Sequence, residues 1–402
     1  MGLIVRSSWK AAKSFCFAKH SDKHLKKSQP GTTQPFARHK MMKSATDETI
    51  LIDQNQSLKE VVRAVTRIDE VAIDTEADSM HAYPEKVCLL QIRCGDSSWL
   101  VDPLADIDCS PLLEALKNKP LIFHAADYDL RLLYKRYGFR PTRVFDTMWA
   151  ARLVGHERFG LEFLVKHYFD IQLEKGPQTA NWGMRPLTPA MAHYALNDVL
   201  HLKPLAELLR KELTELKRLS WVEEISERVI EQACLPEEDV TDTEWRIKGA
   251  SKLSRRGLAF LKAIWKWRET EAIRANRPPF FILSHDLAAT IAARAAADEN
   301  WINLIPRRMA ARRRRQLEKA MKEAAQIKPN DFPQRLQKPR FRASDREKNR
   351  TEAIKKVRDT AAEALKLDPS IIASKATMIR LGLDDSDAGS ELMQWQRDVL
   401  KL

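Results

Sequence analysis

Residues 71–76 read Val-Ala-Ile-Asp-Thr-Glu. The first three form a short buried strand, because small and β-branched apolar residues run together without helical spacing. The strand ends in acids. Asp74 and Glu76 stand two apart, so their side chains leave on the same side, and two carboxylates so placed can hold a divalent cation between them. Most Asp-x-Glu pairs are solvated surface acids, so the weight of this one comes from what surrounds it.

Working outward, the spacing of Leu58, Val61, Val62 and Val65 predicts a helix before the strand. Val87–Ile92 is a second strand and Ser98–Val101 a third, reached through a turn at Gly95-Asp96. Pro111–Leu116 is a helix with proline in its first turn. Leu121–Phe123 is a buried strand running at once into a helix with Leu130, Leu133 and Tyr134, and Val144-Phe145 is a short strand before Asp146-Thr147. Thr188-Pro189 opens a long helix with a capping residue and proline at its first position. Three strands joined by short turns and then strand–helix alternation predict a mixed five-stranded sheet flanked by helices. After about Pro204 the chain reads as helices, with breaks at Arg277-Pro278-Pro279 and Asp368-Pro369 and a cap at Ser284.

The organisation expected along the 402 residues is therefore a basic, disordered extension (1–46), an α/β domain (47–206) and a connecting helix (207–245). A helical module (246–327), a basic proline-containing linker (328–350) and a second, degenerate helical module (351–402) follow. Charge follows these divisions. The whole chain carries +13, but residues 1–46 hold +9 and residues 307–350 hold +11, which leaves the remainder at −7 and the α/β domain at −5. A mildly acidic body with basic appendages suggests a polyanionic partner. No stretch reaches 18 apolar residues, so no membrane span is expected. Five scattered cysteines without a C-x-x-C pair argue against a disulfide framework and a structural zinc site, and they fit a reducing, cytoplasmic setting.

Further acids extend the opening pair. Asp129 lies in the first turns of the helix after Leu121–Phe123, with Asp127 as a rival two residues earlier. Tyr194 and Asp198 are four apart on the Pro189 helix and share a face. Oxygen ligands of this kind select Mg²⁺ or Mn²⁺ over softer metals. An acid at a helix start is usually a dipole or capping residue, and a Tyr-x-x-x-Asp pair usually a surface hydrogen bond. Order and context together are far more specific than any one piece.

On these residues the chain resembles ribonuclease D. Ile73-Asp74-Thr75-Glu76 is similar to the first motif of the proofreading-exonuclease superfamily. His124-Ala125-Ala126-Asp127-Tyr128-Asp129-Leu130 is similar to the second, and Tyr194-Ala195-Leu196-Asn197-Asp198-Val199 to the third in its tyrosine-bearing (DEDDy) form. Asp146-Thr147, Gly160-Leu161, Trp182-x-x-Arg185-Pro186-Leu187-Thr188 and Trp245-Arg246-Ile247-Lys248-Gly249-Ala250 extend the likeness toward an HRDC domain, and Asn181 departs from it where the family often has an acid.

The resemblance implies a ribonuclease H-like α/β fold followed by all-α HRDC domains. It also implies a 3′→5′ exoribonuclease acting in tRNA 3′-end maturation, with tRNA precursors and other small structured RNAs as partners. Asp74, Glu76, Asp129 and Asp198 would then hold two divalent ions about 4 Å apart, with Tyr194 orienting the attacking water. His124 is a substrate contact or a packed strand-end histidine. Trp182 and Arg185 stack on or clamp nucleic acid, or simply pack. Arg312, Arg313, Arg314 and Arg315 contact phosphates, or form a solvated face. Deleting residues 307–402 is expected to weaken binding to structured RNA alone. A 3′→5′ exodeoxyribonuclease in DNA repair shares the same site, and a non-catalytic adaptor would be expected to have lost a ligand. A monomer is favoured.

Overall fold

The computed structural model describes residues 50–174, 176–236, 243–335, 344–383 and 386–402. The extension 1–46 and part of the 328–350 linker lie outside the described residues. Six strands form the sheet where the apolar runs predict five. β1 (Ile50–Ile52), β2 (Val71–Ala77), β3 (Val87–Cys94), β4 (Ser97–Val101), β5 (Pro120–Phe123) and β6 (Arg143–Asp146) lie in the order β1-β4-β3-β2-β5-β6. β1 escapes the sequence reading because three residues cannot display a period; it pairs parallel to β4, with Leu51 opposite Leu100. β3 runs antiparallel to both β2 and β4, whereas β5 and β6 add in parallel beside β2. The sheet is mixed, as expected, and β2 lies inside it. The β2–β3 register shifts between Glu76 and Ala77, a bulge of the kind that re-aims side chains beside sites.

Helices α1 (Asn55–Arg67), α2 (Ser110–Lys117), α3 (Asp127–Tyr137), α4 (Thr147–Val154), α5 (Leu161–Phe169), α6 (Pro189–Leu200), α7 (Leu202–Glu215) and α8 (Leu219–Ala233) flank the sheet. α6 starts where the sequence requires: the Thr188 hydroxyl accepts from the Met191 N–H at 3.2 Å and Pro189 occupies the first turn. It lies over β2, β3 and β4, with Met191 and Ala195 in a buried cluster with Cys88, Leu89, Leu100 and Trp182. α8, read from sequence as connector, buries Val222, Ile225, Val229 and Ile230 and packs on β6, α3 and α4. It is part of the α/β domain's helical layer.

The first helical module comprises α9 (Arg255–Ala275), α10 (Pro279–Ile282), α11 (His285–Ala296) and α12 (Ala311–Ala325). The second comprises α13 (Asp345–Leu365), α14 (Pro369–Ile372), α15 (Lys375–Gly382), α16 (Ser386–Ser390) and α17 (Gln394–Leu400). α13 begins inside the stretch read as a linker. The modules repeat. Caps Ser254 and Ser344, helix-opening prolines Pro279 and Pro369, and caps Ser284 and Ser374 each stand ninety residues apart.

The second module docks on the α/β domain. Arg218 donates to the Leu153 and Leu365 carbonyls at 2.7 and 2.8 Å, and Trp221 stacks on Trp395 at 4.6 Å. The first module meets the loop after β2, where the Tyr83 hydroxyl donates to Glu269 at 2.5 Å.

Candidate active site

The carboxyl half of β2 supplies two acids to one face, and α6 lays Asp198 against them. Asp74, Glu76 and Asp198 each offer an oxygen within 4.8 Å of the others. Asp129, expected to join them, stands just outside that trio. Its carboxylate accepts from the buried Thr75 hydroxyl at 2.5 Å, yet it is near enough to raise the pKa values of the other three by like charge. The rival Asp127 points elsewhere, to Arg131 at 2.6 Å.

No lysine or arginine among the described residues pairs with Asp74, Glu76 or Asp198. Burial, and then the repulsion of Asp129, Asp198 and Glu76, lifts the Asp74 carboxyl well above the usual carboxylate range. Burial with the charges of Asp198 and Asp129 pushes Glu76 up to about 9. Asp198 is pushed up to about 7 by burial, against a hydrogen bond from Tyr194 that favours its ionised form. Tyr194 is itself held above the ordinary phenol range, first by burial and then by Asp198, Glu76 and Asp74. Uncompensated, half-buried acids converging on one another make a donor set suited to hard divalent cations.

Asp146 builds the approach to α3. Its carboxylate accepts from the Ala125 and Ala126 N–H groups at 3.0 and 2.9 Å, and it also caps α4 through the Met148 N–H at 2.9 Å. This holds Ala125 in the left-handed region (φ 65°), sparsely populated for a residue with a Cβ, and so sets where Asp129 begins its turn. His124 sits just before that bend. The Thr147 hydroxyl donates to the Phe123 carbonyl at 3.0 Å, so it can only accept from His124 Nδ1, 2.9 Å away. Nε2 is therefore left with its lone pair, and burial lowers the ring's pKa to about 4.

Two nucleic-acid contacts expected from sequence are corrected. Trp182 is 1% exposed and packs in the cluster under α6, its ring 6.1 Å from that of Tyr194, so no base can stack on it. Arg185 uses all five donors internally. Nε and Nη2 grip Asp102 at 2.5 and 2.7 Å, Nη2 also meets the Cys88 carbonyl, and Nη1 meets the Trp182 and Met184 carbonyls. It is a staple for the loop before α6. In the same loop Asn181 accepts from the Gly183 N–H at 3.2 Å, a turn contact. Of the basic run on α12, Arg312 and Arg313 both turn inward to the buried Glu271; Arg315 is exposed and Arg314 partly so.

Sequence reasoning missed Thr75, Gln91 and Gly176. A Cβ at Gly176 would fall 1.7 Å from the Tyr194 ring, so this loop lies directly on the tyrosine. Gln91 had a legible signal, a lone polar residue in an otherwise apolar run from Val87 to Ile92.

Residues 49–214 match the family model for a 3′-5′ exonuclease and residues 257–318 that of the HRDC domain. The class is thus a hydrolytic 3′–5′ exonuclease carrying an HRDC domain. Ribonuclease D of Granulibacter bethesdensis is 30% identical over 359 residues, covering 87% of this chain and 90% of that protein. Ribonuclease D of Desulfotalea psychrophila is 29% identical over 330 residues, covering 81% and 88%. The chain belongs to the ribonuclease D family. Among solved structures, Escherichia coli RNase D shares the fold with a TM-score of 0.69 at 22% identity, over 88% of this chain and 99% of that one. The catalytic core of RRP6 from Trypanosoma brucei does so at 0.60 and 25% identity, over 71% and 81%.

Proposed function

We propose that this chain trims RNA from its 3′ end, one nucleotide at a time, to nucleoside 5′-monophosphates, with tRNA precursors and other small structured RNAs as substrates. The observation that carries the chemistry is the convergence of Asp74, Glu76 and Asp198, with Asp129 beside them and, among the described residues, no cationic side chain balancing the trio. Those four residues would hold two divalent cations, Mg²⁺ or Mn²⁺. Bound there, such cations lower the pKa of an attacking water and offset charge on the leaving 3′ oxygen.

The chain's own groups supply orientation. Tyr194, its hydroxyl bonded to Asp198, stays protonated at neutral pH. It orients the water as a hydrogen-bonding group and is no base. Thr75 holds the Asp129 carboxylate in place. His124 Nε2 can accept from a sugar hydroxyl or a base amine, and it cannot bond directly to a phosphate oxygen, which is also an acceptor. Arg314 and Arg315 are left for phosphate contacts. Among the described residues no helix is long and apolar enough to cross a membrane; the setting proposed is a cytoplasmic monomer.

The test is incubation with 3′-labelled single-stranded RNA and matching DNA, in Mg²⁺, Mn²⁺ or EDTA, and again with Asp198→Asn. The expected outcome is metal-dependent release of 5′-monophosphates from RNA. Hydrolysis that survives EDTA or the substitution sinks the carboxylate site, and faster loss of DNA reassigns the substrate.

A further inference from the structure

β3 reads Val-Cys-Leu-Leu-Gln-Ile-Arg-Cys, and Val87 to Ile92 are buried throughout. Gln91 is 0% exposed, and neither its amide oxygen nor its amide nitrogen has a hydrogen-bond partner among the described residues. Leucine or valine would fill such a place without the cost of desolvating an amide. The amide's surroundings supply a reason for it. Gln91 is opposite Asp74 on β2 and opposite Leu100 on β4, so the three side chains share a face. Leu100 and Leu89, the latter two residues before Gln91, pack in one cluster with Met191 and Ala195 of α6. That face is therefore the one over which α6 presents Tyr194 and Asp198.

Cross-strand partners lie about 4.5–5.5 Å apart at Cβ, and a glutamine spans that distance by changing rotamer. The Thr75 hydroxyl is already taken by the neighbouring Asp129. The unpartnered amide is the donor positioned for Asp74.

We propose that Gln91 is a positioning residue for the carboxylate site. Its NH₂ group donates to the Asp74 carboxylate when bound cations keep that carboxylate ionised, and so fixes the direction of its ligand oxygen. This rests on the reading of Asp74 as a metal ligand.

The test uses the full chain with Gln91→Leu and, as a closer match in shape, Gln91→Met. Three quantities are read: the metal-free melting temperature, the Mn²⁺ dissociation constant by calorimetry, and kcat and KM on 3′-labelled RNA. The expected pattern has opposed signs. The metal-free melting temperature holds or rises, because an unpartnered buried amide is gone. Mn²⁺ binds roughly tenfold more weakly, and kcat falls with KM unchanged. Mn²⁺ affinity within twofold of the parent in both variants overturns the proposal. So does a fall in metal-free melting temperature matching the loss of affinity, which marks a packing role. Mn²⁺ binding that Asp198→Asn leaves intact overturns the reading of the site itself, and this proposal with it.

Discussion

Asp198 shows what the carboxylate cluster costs the fold. With no cation bound, Glu76 ionises at about 9 and Asp198 at about 7, far above their ordinary values of 4.5 and 3.8. Between the unfolded and folded values the native protein keeps protons that the unfolded chain has released. The cluster's contribution to cation-free stability is therefore most favourable in acid and falls as pH rises from about 4 toward 9. Asp198→Asn removes one of these charges. It should raise the cation-free unfolding free energy by an amount on the order of a few kcal/mol at pH 8 and by less at pH 5, read as a higher melting temperature. The same change should lower RNA hydrolysis in Mg²⁺ roughly a thousand-fold. A lower or pH-independent melting temperature, followed by calorimetry with and without EDTA, counts against the cluster. Gly176 makes the neighbouring case by sterics. Since a Cβ there would fall 1.7 Å from the Tyr194 ring, Gly176→Ala must displace the tyrosine. The expected loss is about a hundred-fold in kcat at unchanged KM. In a Tyr194→Phe background the same substitution should cost little more; full additivity in that cycle would falsify the coupling.

At the scale of elements, the loop between α5 and α6 is the part of the site least legible in sequence. Trp182 and Arg185 look like residues for a nucleic acid because aromatic and guanidinium groups so often serve that purpose. The role of Arg185 depends on Asp102 and the Cys88 carbonyl, 83 and 97 residues away in the chain, and that of Trp182 on the apolar cluster under α6, and no local pattern announces such partners. β2 and α6, by contrast, were readable, since an apolar run ending in Asp-x-Glu and a Thr-Pro helix start are local signals. β1 was not, being three residues long. The ninety-residue repeat of caps and prolines was present in the sequence, but only the helix boundaries make it stand out. The loop's construction yields its own prediction. Arg185→Ala leaves Asp102, whose side chain is 5% exposed, without its bidentate partner. Chemical denaturation should show a loss of about 3–5 kcal/mol. The KM for RNA measured below the melting transition should not move; a raised KM on a stable variant would restore the clamp.

For the whole molecule, the question is where a polyanion binds when the catalytic body is acidic. Residues 47–206 carry −5 and residues 307–350 carry +11, yet the basic total overstates the available surface. Arg312 and Arg313 are committed to Glu271, while α12 contributes Leu317, Met321 and Ala324 to the first module's core. Deleting residues 307–402 would therefore unmake that core and strip the docked second module from Arg218 and Trp221, so it cannot isolate binding. Arg307, Arg308 and Arg315 are exposed, and reversing all three to glutamate leaves the packed face untouched. Each phosphate contact adds a counterion-release term that depends on salt. The triple variant should therefore bind structured RNA more weakly, by roughly 10–100-fold at low salt. The slope of log affinity against log salt should shrink by about two to three. Hydrolysis of a short single strand too small to reach this helix should be unchanged, because its scissile bond meets only the carboxylate cleft. An equal loss on the short strand would place the arginines at the cleft itself. A loss on structured RNA without a change of slope would mean that the module holds RNA by contacts other than phosphate.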